Sequence, residues 1–286
     1  MRNGPSAVVG AAVLWGTAGT AGLLVSADSV ALAAARLVIG GAALALLAAS
    51  ELRSALRPSL LLGAVAVAAY QLCFFAAISR TGVAIGSVVA IGSGPVFTGL
   101  LSWLLHSQRP SARWSAATTA AIAGCAALIA GGGDAQAGGQ VLSGILFALA
   151  GGLLYAYYAV TAARAISRGL PSNAVMGVLF GGAAAIMLPV LLWQGVDWLT
   201  TPANLAAVLY LGLGTTAFAY FLYGRGLRTT PVATAATLAL AEPAVAALLG
   251  VVVLGEHLAL LSILGLALLA ISLVTVALPE PRTVSR

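Results

Sequence analysis

Apolar residues in this chain come in long blocks separated by short polar gaps. Ten stretches reach about 20 mostly apolar residues, the length that crosses a hydrocarbon core of about 30 Å. They run approximately over residues 7–25, 30–50, 59–79, 83–105, 114–130, 141–163, 173–193, 203–223, 231–254 and 258–277. Nearly every gap holds a charge or a Pro/Gly break. The spacing predicts an all-α integral membrane protein of ten transmembrane helices. Such spans use about 200 positions, and no connection is long enough for a soluble domain, so function is expected within the membrane. The first stretch is too long for a cleavable signal and is flanked only by Arg2.

Composition narrows the class in the same direction. Charged residues make up 7% of the 286 and hydrophobic ones 61%, against roughly 25% charged in a soluble domain. Soluble, disordered and disulfide-scaffold classes are excluded. Cys73 and Cys125 both lie in apolar runs and carry no redox information. All 13 basic residues are arginine, for a net charge of +6. They occur as ones and twos between apolar blocks, which a nucleic-acid binder would not show. With the N-terminus in the cytoplasm, Arg2, Arg53, Arg57, Arg109, Arg113, Arg164, Arg168, Arg225, Arg228, Arg282 and Arg286 fall on the inner side. Arg80 alone falls outside, and Arg36 lies within a span. Asp28, Asp134, Asp197 and Glu256 fall on the outer side. This positive-inside pattern places both termini in the cytoplasm.

The chain also repeats itself. One constant shift lays Arg80-Thr81 on Arg228-Thr229, Pro95 on Pro243 and Leu100-Leu101 on Leu248-Leu249, without a gap. Helices four and five then pair with nine and ten. The expected division is a first five-helix repeat over 1–137, a second over 138–279 and a cytoplasmic tail over 280–286. Five spans per half is odd, so the second half enters the membrane inverted, an arrangement typical of transporters. The bland alternative is a duplication without functional meaning.

Residues 240–258, LAEPAVAALLGVVVLGEHL, resemble the signature of the EamA family of the drug/metabolite transporter superfamily. Its repeat ends with a proline-containing helix, a Leu-Gly-Glu turn and a last helix. The VLWG opening at residues 13–16 and the paired halves fit as well. The resemblance implies an exporter or exchanger of small metabolites in the cytoplasmic membrane, with amino acids prominent among the cargoes. The first half departs from the pattern: Gly94 aligns with Glu242 and Gln108 with Glu256.

Glu242 is the outstanding candidate residue. It sits near the bilayer centre, where an ionised carboxylate costs several kcal/mol. It reads as a proton carrier, as the counter-ion of a substrate amine, or as a protonated packing device beside Pro243. Arg36 reads as a carboxylate anchor, as the partner of a carboxylate on another helix, or as a side chain snorkelling to lipid headgroups. Together the two could hold the ends of a zwitterion. Pro95 and Pro243 each remove a backbone hydrogen bond at mid-span, either opening the backbone to a cavity or kinking the helix for packing. Gly92-Ser-Gly-Pro95 is expected to reinforce a break in the fourth span, and the GTAGTAG run at 16–22 reads as a hinge or gate. Gly82, Gly86, Gly177 and Gly181 read as close-packing positions. Of the clustered aromatic residues, Trp15, Tyr70, Tyr155 and Tyr158 lie deep, as does Gln71. They would contact a substrate or simply pack, and Phe74, Tyr157, Tyr220 and Tyr223 cluster with them in the expected inner helices. Trp103, Trp114, Trp193, Trp198 and Tyr223 are expected in interfacial belts.

The absence of lysine rules out a phosphate-cradling nucleotide loop. His106 and His257 are far apart, so no metal-ligand spacing or histidine-based nucleophile exists. Neither a cofactor, a metal nor enzymatic chemistry is expected. The leading expectation is a secondary transporter exporting small organic metabolites (amino acids or related compounds) by alternating access, driven by the substrate gradient or by protons through Glu242. A multidrug or organic-cation exporter is the first alternative; a non-transporting scaffold or sensor is the second. Expected partners are a small-molecule substrate and the lipid bilayer, not nucleic acid, with a homodimer left open. Abundant Ala, Gly and Arg point to a GC-rich genome and a prokaryotic cytoplasmic membrane.

Overall fold

The computed structural model describes residues 4–106, 109–131, 140–255 and 257–278; Arg2, Gln108, Asp134, Glu256, Arg282 and Arg286 lie outside them. The described chain is helical, with no strand. The elements are α1 (Gly4–Gly22), α2 (Ser29–Leu47), α3 (Pro58–Thr81), α4 (Val83–His106), α5 (Ala112–Ala130), α6 (Val141–Ser167) and α7 (Ser172–Gln194). There follow α8 (Pro202–Leu209), a π-helical segment (Tyr210–Phe218) that runs without interruption into α9 (Ala219–Gly226), then α10 (Val232–Leu238), α11 (Ala241–Leu254) and α12 (Leu260–Ala277). Among the described residues, nine helical segments are long and apolar enough to cross a membrane, α8–α9 and α10–α11 each counting once. α1 matches α2 in length at 19 residues, but its glycines and threonines dilute its apolar character.

Helix limits follow from local chemistry. Asp28 caps α2 by accepting from the Val30 and Ala31 N–H groups at 2.8 and 3.4 Å, and Ser111 caps α5 by accepting from Trp114 N at 3.1 Å. Gly82 and Gly195 end α3 and α7 at φ 82°, where a side chain would be strained.

The helices pair as α2 with α7, α3 with α6, α4 with α6, α5 with α12, and α1 with α9 and α11. Small residues allow these approaches. Gly41 lies against the Phe180 carbonyl and Ala184, and Gly177 and Gly181 of α7 meet Ala48 and Ala45 of α2. Gly124 and Gly265 lie against each other's backbone where α5 crosses α12. The outside is apolar, with Trp193 92% and Val252 80% exposed. Aromatic side chains lie inside, with Tyr158, Phe180 and Tyr223 all buried.

The two proline-bearing spans behave differently. The fourth does not break at Gly92-Ser-Gly-Pro95: α4 is continuous across all 24 residues. Ser93 and Thr98 hydroxyls donate to the Ala90 and Gly94 carbonyls, at 3.2 and 2.8 Å, and the glycine before the proline relieves the crowding that a proline ring imposes on its predecessor. The ninth span does break, at Ala239–Leu240, and restarts at Ala241.

Candidate functional site

The break in the ninth span sets the position of Glu242. Pro243 has no N–H to offer the Ala239 carbonyl, and the Glu242 N–H takes that carbonyl instead at 3.0 Å. Leu240 N likewise turns back to Thr237 O at 3.0 Å. The freed carbonyl is thereby satisfied by the backbone. Glu242 falls in the first turn of α11, where unpaired N–H groups and the helix dipole favour negative charge. Gly16 of α1 allows the close approach here, since a Cβ on it would come within 2.6 Å of Val245 Cβ and 2.7 Å of the Glu242 carbonyl.

Arg36 extends from α2 toward the same region. Arg36, Glu242, Tyr70 of α3 and Tyr220 of α9 lie within electrostatic reach of one another. Among the described residues no ion pair joins them. Arg36 Nε is buried without a hydrogen-bond partner, as is Trp15 Nε1. Glu242 itself is half-buried.

Around the charges stands a wall of rings. Trp15 packs on Tyr220 and Tyr223 with centroids at 4.9 and 5.5 Å. Tyr155 meets Tyr158 at 5.3 Å and Tyr70 at 6.2 Å, and Phe180 lies 3.8 Å from Tyr220. The hydroxyls of Tyr155 and Tyr223 lie 3.3 Å apart and those of Tyr158 and Tyr220 3.4 Å apart, which ties α6 to α9. Gly94 lies under Tyr155, whose ring a Cβ there would meet at 3.2 Å. That contact brings Pro95 beside the wall without a side-chain role of its own.

The structure thus gathers Glu242, Arg36, Trp15, Tyr70, Tyr155 and Tyr158. Gln71 is buried one position along α3, and among the described residues no hydrogen bond of its side chain joins it to the cluster. Tyr223, readable from sequence as an inner-helix or an interfacial residue, is fully buried at 0% exposure, because α9 turns it inward onto Trp15 and Tyr155. Phe180 was not singled out from sequence. The signal for Tyr220 and Tyr223 was their three-residue spacing, which copies that of Tyr155 and Tyr158 and sets both pairs on one helix face. Two cavities, of about 510 and 600 Å³, open at the arginine-rich end of the bundle, and neither is lined by Glu242 or Arg36.

An apolar exterior over half-buried charges and buried hydroxyls defines a polytopic membrane protein with a polar interior, the design of a solute transporter. The chain belongs to the EamA-like transporter family, whose profile matches residues 2–130 and again 142–278. It is 40% identical over 274 residues to the uncharacterized transporter YwfM of Bacillus subtilis, covering 93% of this chain and 91% of that one. It is 35% identical over 137 residues to the threonine/homoserine exporter RhtA of Salmonella typhimurium, covering 46% of this chain and 44% of RhtA. A solved crystal structure with 22% identity shares the fold at a TM-score of 0.82, covering 97% of this chain and 98% of that one. The protein is a multi-pass membrane transporter, not an enzyme.

Proposed function

We propose that this is a ten-span secondary transporter exporting small organic metabolites, amino acids or related compounds first, across a bacterial cytoplasmic membrane by alternating access. α1 supplies the tenth span, with its tryptophan turned to α9 rather than to lipid. Two inverted halves, 1–137 and 138–279, are supported by the twofold family match and by the packing. Exchanging the halves turns α3 on α6 into α9 on α1, and α4 on α6 into α11 on α1. The α2–α7 and α5–α12 pairs map onto themselves. The arginine distribution supports cytoplasmic termini.

The observation that carries the reading is Arg36 and Glu242: opposite charges in electrostatic reach, not ion-paired, beside a wall of rings. A buried charge without a partner is costly, and a zwitterion supplies both partners. Its carboxylate takes the Arg36 guanidinium and the Trp15 indole N–H, and its ammonium takes the Glu242 carboxylate. Its side chain lies against Tyr70 and Tyr155. Occupancy leaves the net charge unchanged but gives each charge a partner, and lets the halves rock past the occluded state. On the empty return a proton on Glu242 replaces the ammonium, which couples outward substrate to inward protons. The activity of RhtA makes threonine and homoserine the first cargoes to try. An organic cation fits less well, because Arg36 repels it.

The test is efflux of radiolabelled threonine and homoserine from proteoliposomes holding wild type, Glu242→Gln or Arg36→Gln at matched density. Loss of a charge-assisted contact is expected to slow efflux about tenfold or more in either variant. Equal rates for wild type and Glu242→Gln would remove Glu242 from the mechanism. Wild-type rates no higher than protein-free liposomes would remove these cargoes.

A further inference from the structure

The cavity of about 510 Å³ lies away from the central charges, between the start of α3 and the end of α6. Arg57, Arg164 and Arg168 line it together with the hydroxyl-bearing Ser59, Tyr157 and Thr161. Arg57 holds the N-cap position of α3. Arg164 and Arg168 stand one turn apart at the C-terminus of α6. The positive-inside rule explains why arginines occur at this end, but not why three converge on one concavity. Among the described residues none of the three guanidinium groups takes part in an ion pair, and Glu51, the described acid at this end, pairs with none of them. The remaining wall is apolar, with Leu105 and Leu170 at its edge. Three forked cations, a ring of hydroxyls and an apolar edge together match an oxyanion attached to a hydrophobic body.

We infer that this cavity binds a phosphate group, held by Arg57, Arg164 and Arg168, and that its source is the headgroup of an anionic phospholipid in the adjacent leaflet. The apolar edge favours the lipid over free phosphate, because it gives the glycerol and first methylenes a surface to cover. Basic pockets between membrane helices are suited to such headgroups. Arg80, at the opposite end, lies over the Phe147 ring at 4.7 Å and lines neither cavity. The site requires no assumption about the transported solute.

The full-length protein is reconstituted in nanodiscs of phosphatidylcholine with or without phosphatidylglycerol, and retained lipid is read by native mass spectrometry after delipidation. Wild type is expected to keep phosphatidylglycerol about tenfold better than the Arg57→Gln/Arg164→Gln/Arg168→Gln variant. A control variant, Arg53→Gln/Arg225→Gln/Arg228→Gln, removes the same charge outside the cavity and is expected to retain lipid like wild type. An Arg57→Lys/Arg164→Lys/Arg168→Lys variant keeps the topology signal while losing the forked geometry, and is expected to fall between. In phosphatidylcholine alone, inorganic phosphate is titrated against thermal unfolding. Arginine-dependent stabilisation by phosphate, without preference for phosphatidylglycerol, would keep the oxyanion site and assign it to free phosphate. Equal lipid loss in the cavity and control variants, or no arginine-dependent effect of either ligand, would overturn the site.

Discussion

α4 and the α10–α11 pair both carry a proline midway along an apolar span, yet α4 is one helix of 24 residues and the other is divided into 7 and 14. The difference lies in the neighbours of the proline. In α4 the preceding residue is Gly94, whose missing side chain removes the clash with the proline ring, and the helix runs on past the absent N–H. Before Pro243 stands Glu242, and the turn tightens from four-residue to three-residue hydrogen bonds at Leu240 and Glu242. A proline alone therefore does not break a membrane helix; the residues beside it decide. The restart gives Glu242 the first-turn environment that a carboxylate favours, and Gly94 gives Tyr155 a flat surface instead.

The largest effect is expected from exchanging these features. Glu242→Gly with Gly94→Glu moves the carboxylate into an intact helix and against the Tyr155 ring. Efflux should fall about 10- to 100-fold, and overpacking should cost about 1–3 kcal/mol of stability, read from thermal unfolding in detergent. Retained efflux would mean that the position of the carboxylate relative to the break is irrelevant. Next comes Gly16→Leu, which drives a side chain into Val245 and the Glu242 backbone. A loss of about 1–3 kcal/mol, with slower efflux, should follow, whereas unchanged unfolding would show that α1 does not hold the restart in place. Pro243→Ala restores an N–H and should straighten the span, raising thermal stability while slowing efflux. Pro95→Ala should change efflux little, and the comparison fails if the two alanine variants behave alike. The smallest effect belongs to Tyr223→Phe, which removes one 3.3 Å hydroxyl contact and should cost about 1 kcal/mol.

Block hydropathy made the membrane class and nine approximate spans legible, and an isolated intramembrane charge made Glu242 visible as a candidate. The burial of Tyr223 was not legible, since its position near a span end looks the same in sequence whether α9 turns it to lipid or to Trp15. Nor could the fate of Pro95 and Pro243 be read from the prolines. It depends on which carbonyls the flanking side chains and N–H groups reach, a three-dimensional question. The proximity of Arg36 to Glu242 is likewise a matter of helix packing, since α2 and α11 are far apart in the chain. The π-helical segment between α8 and α9 left no sequence mark, although Thr215 and Thr216 both donate to the Leu211 carbonyl, at 2.8 and 2.9 Å, and so support it.

Threonine binding to the purified wild type in nanodiscs, compared with the amine lacking its carboxylate and with N-acetylthreonine, tests the roles of Arg36 and Glu242 most directly. If the two charges hold opposite ends of the cargo, each trimmed ligand should bind about tenfold or more weakly than threonine. Glu242→Gln should then lose its discrimination against N-acetylthreonine while still rejecting the amine. Equal affinity of the wild type for all three ligands would contradict the proposed site.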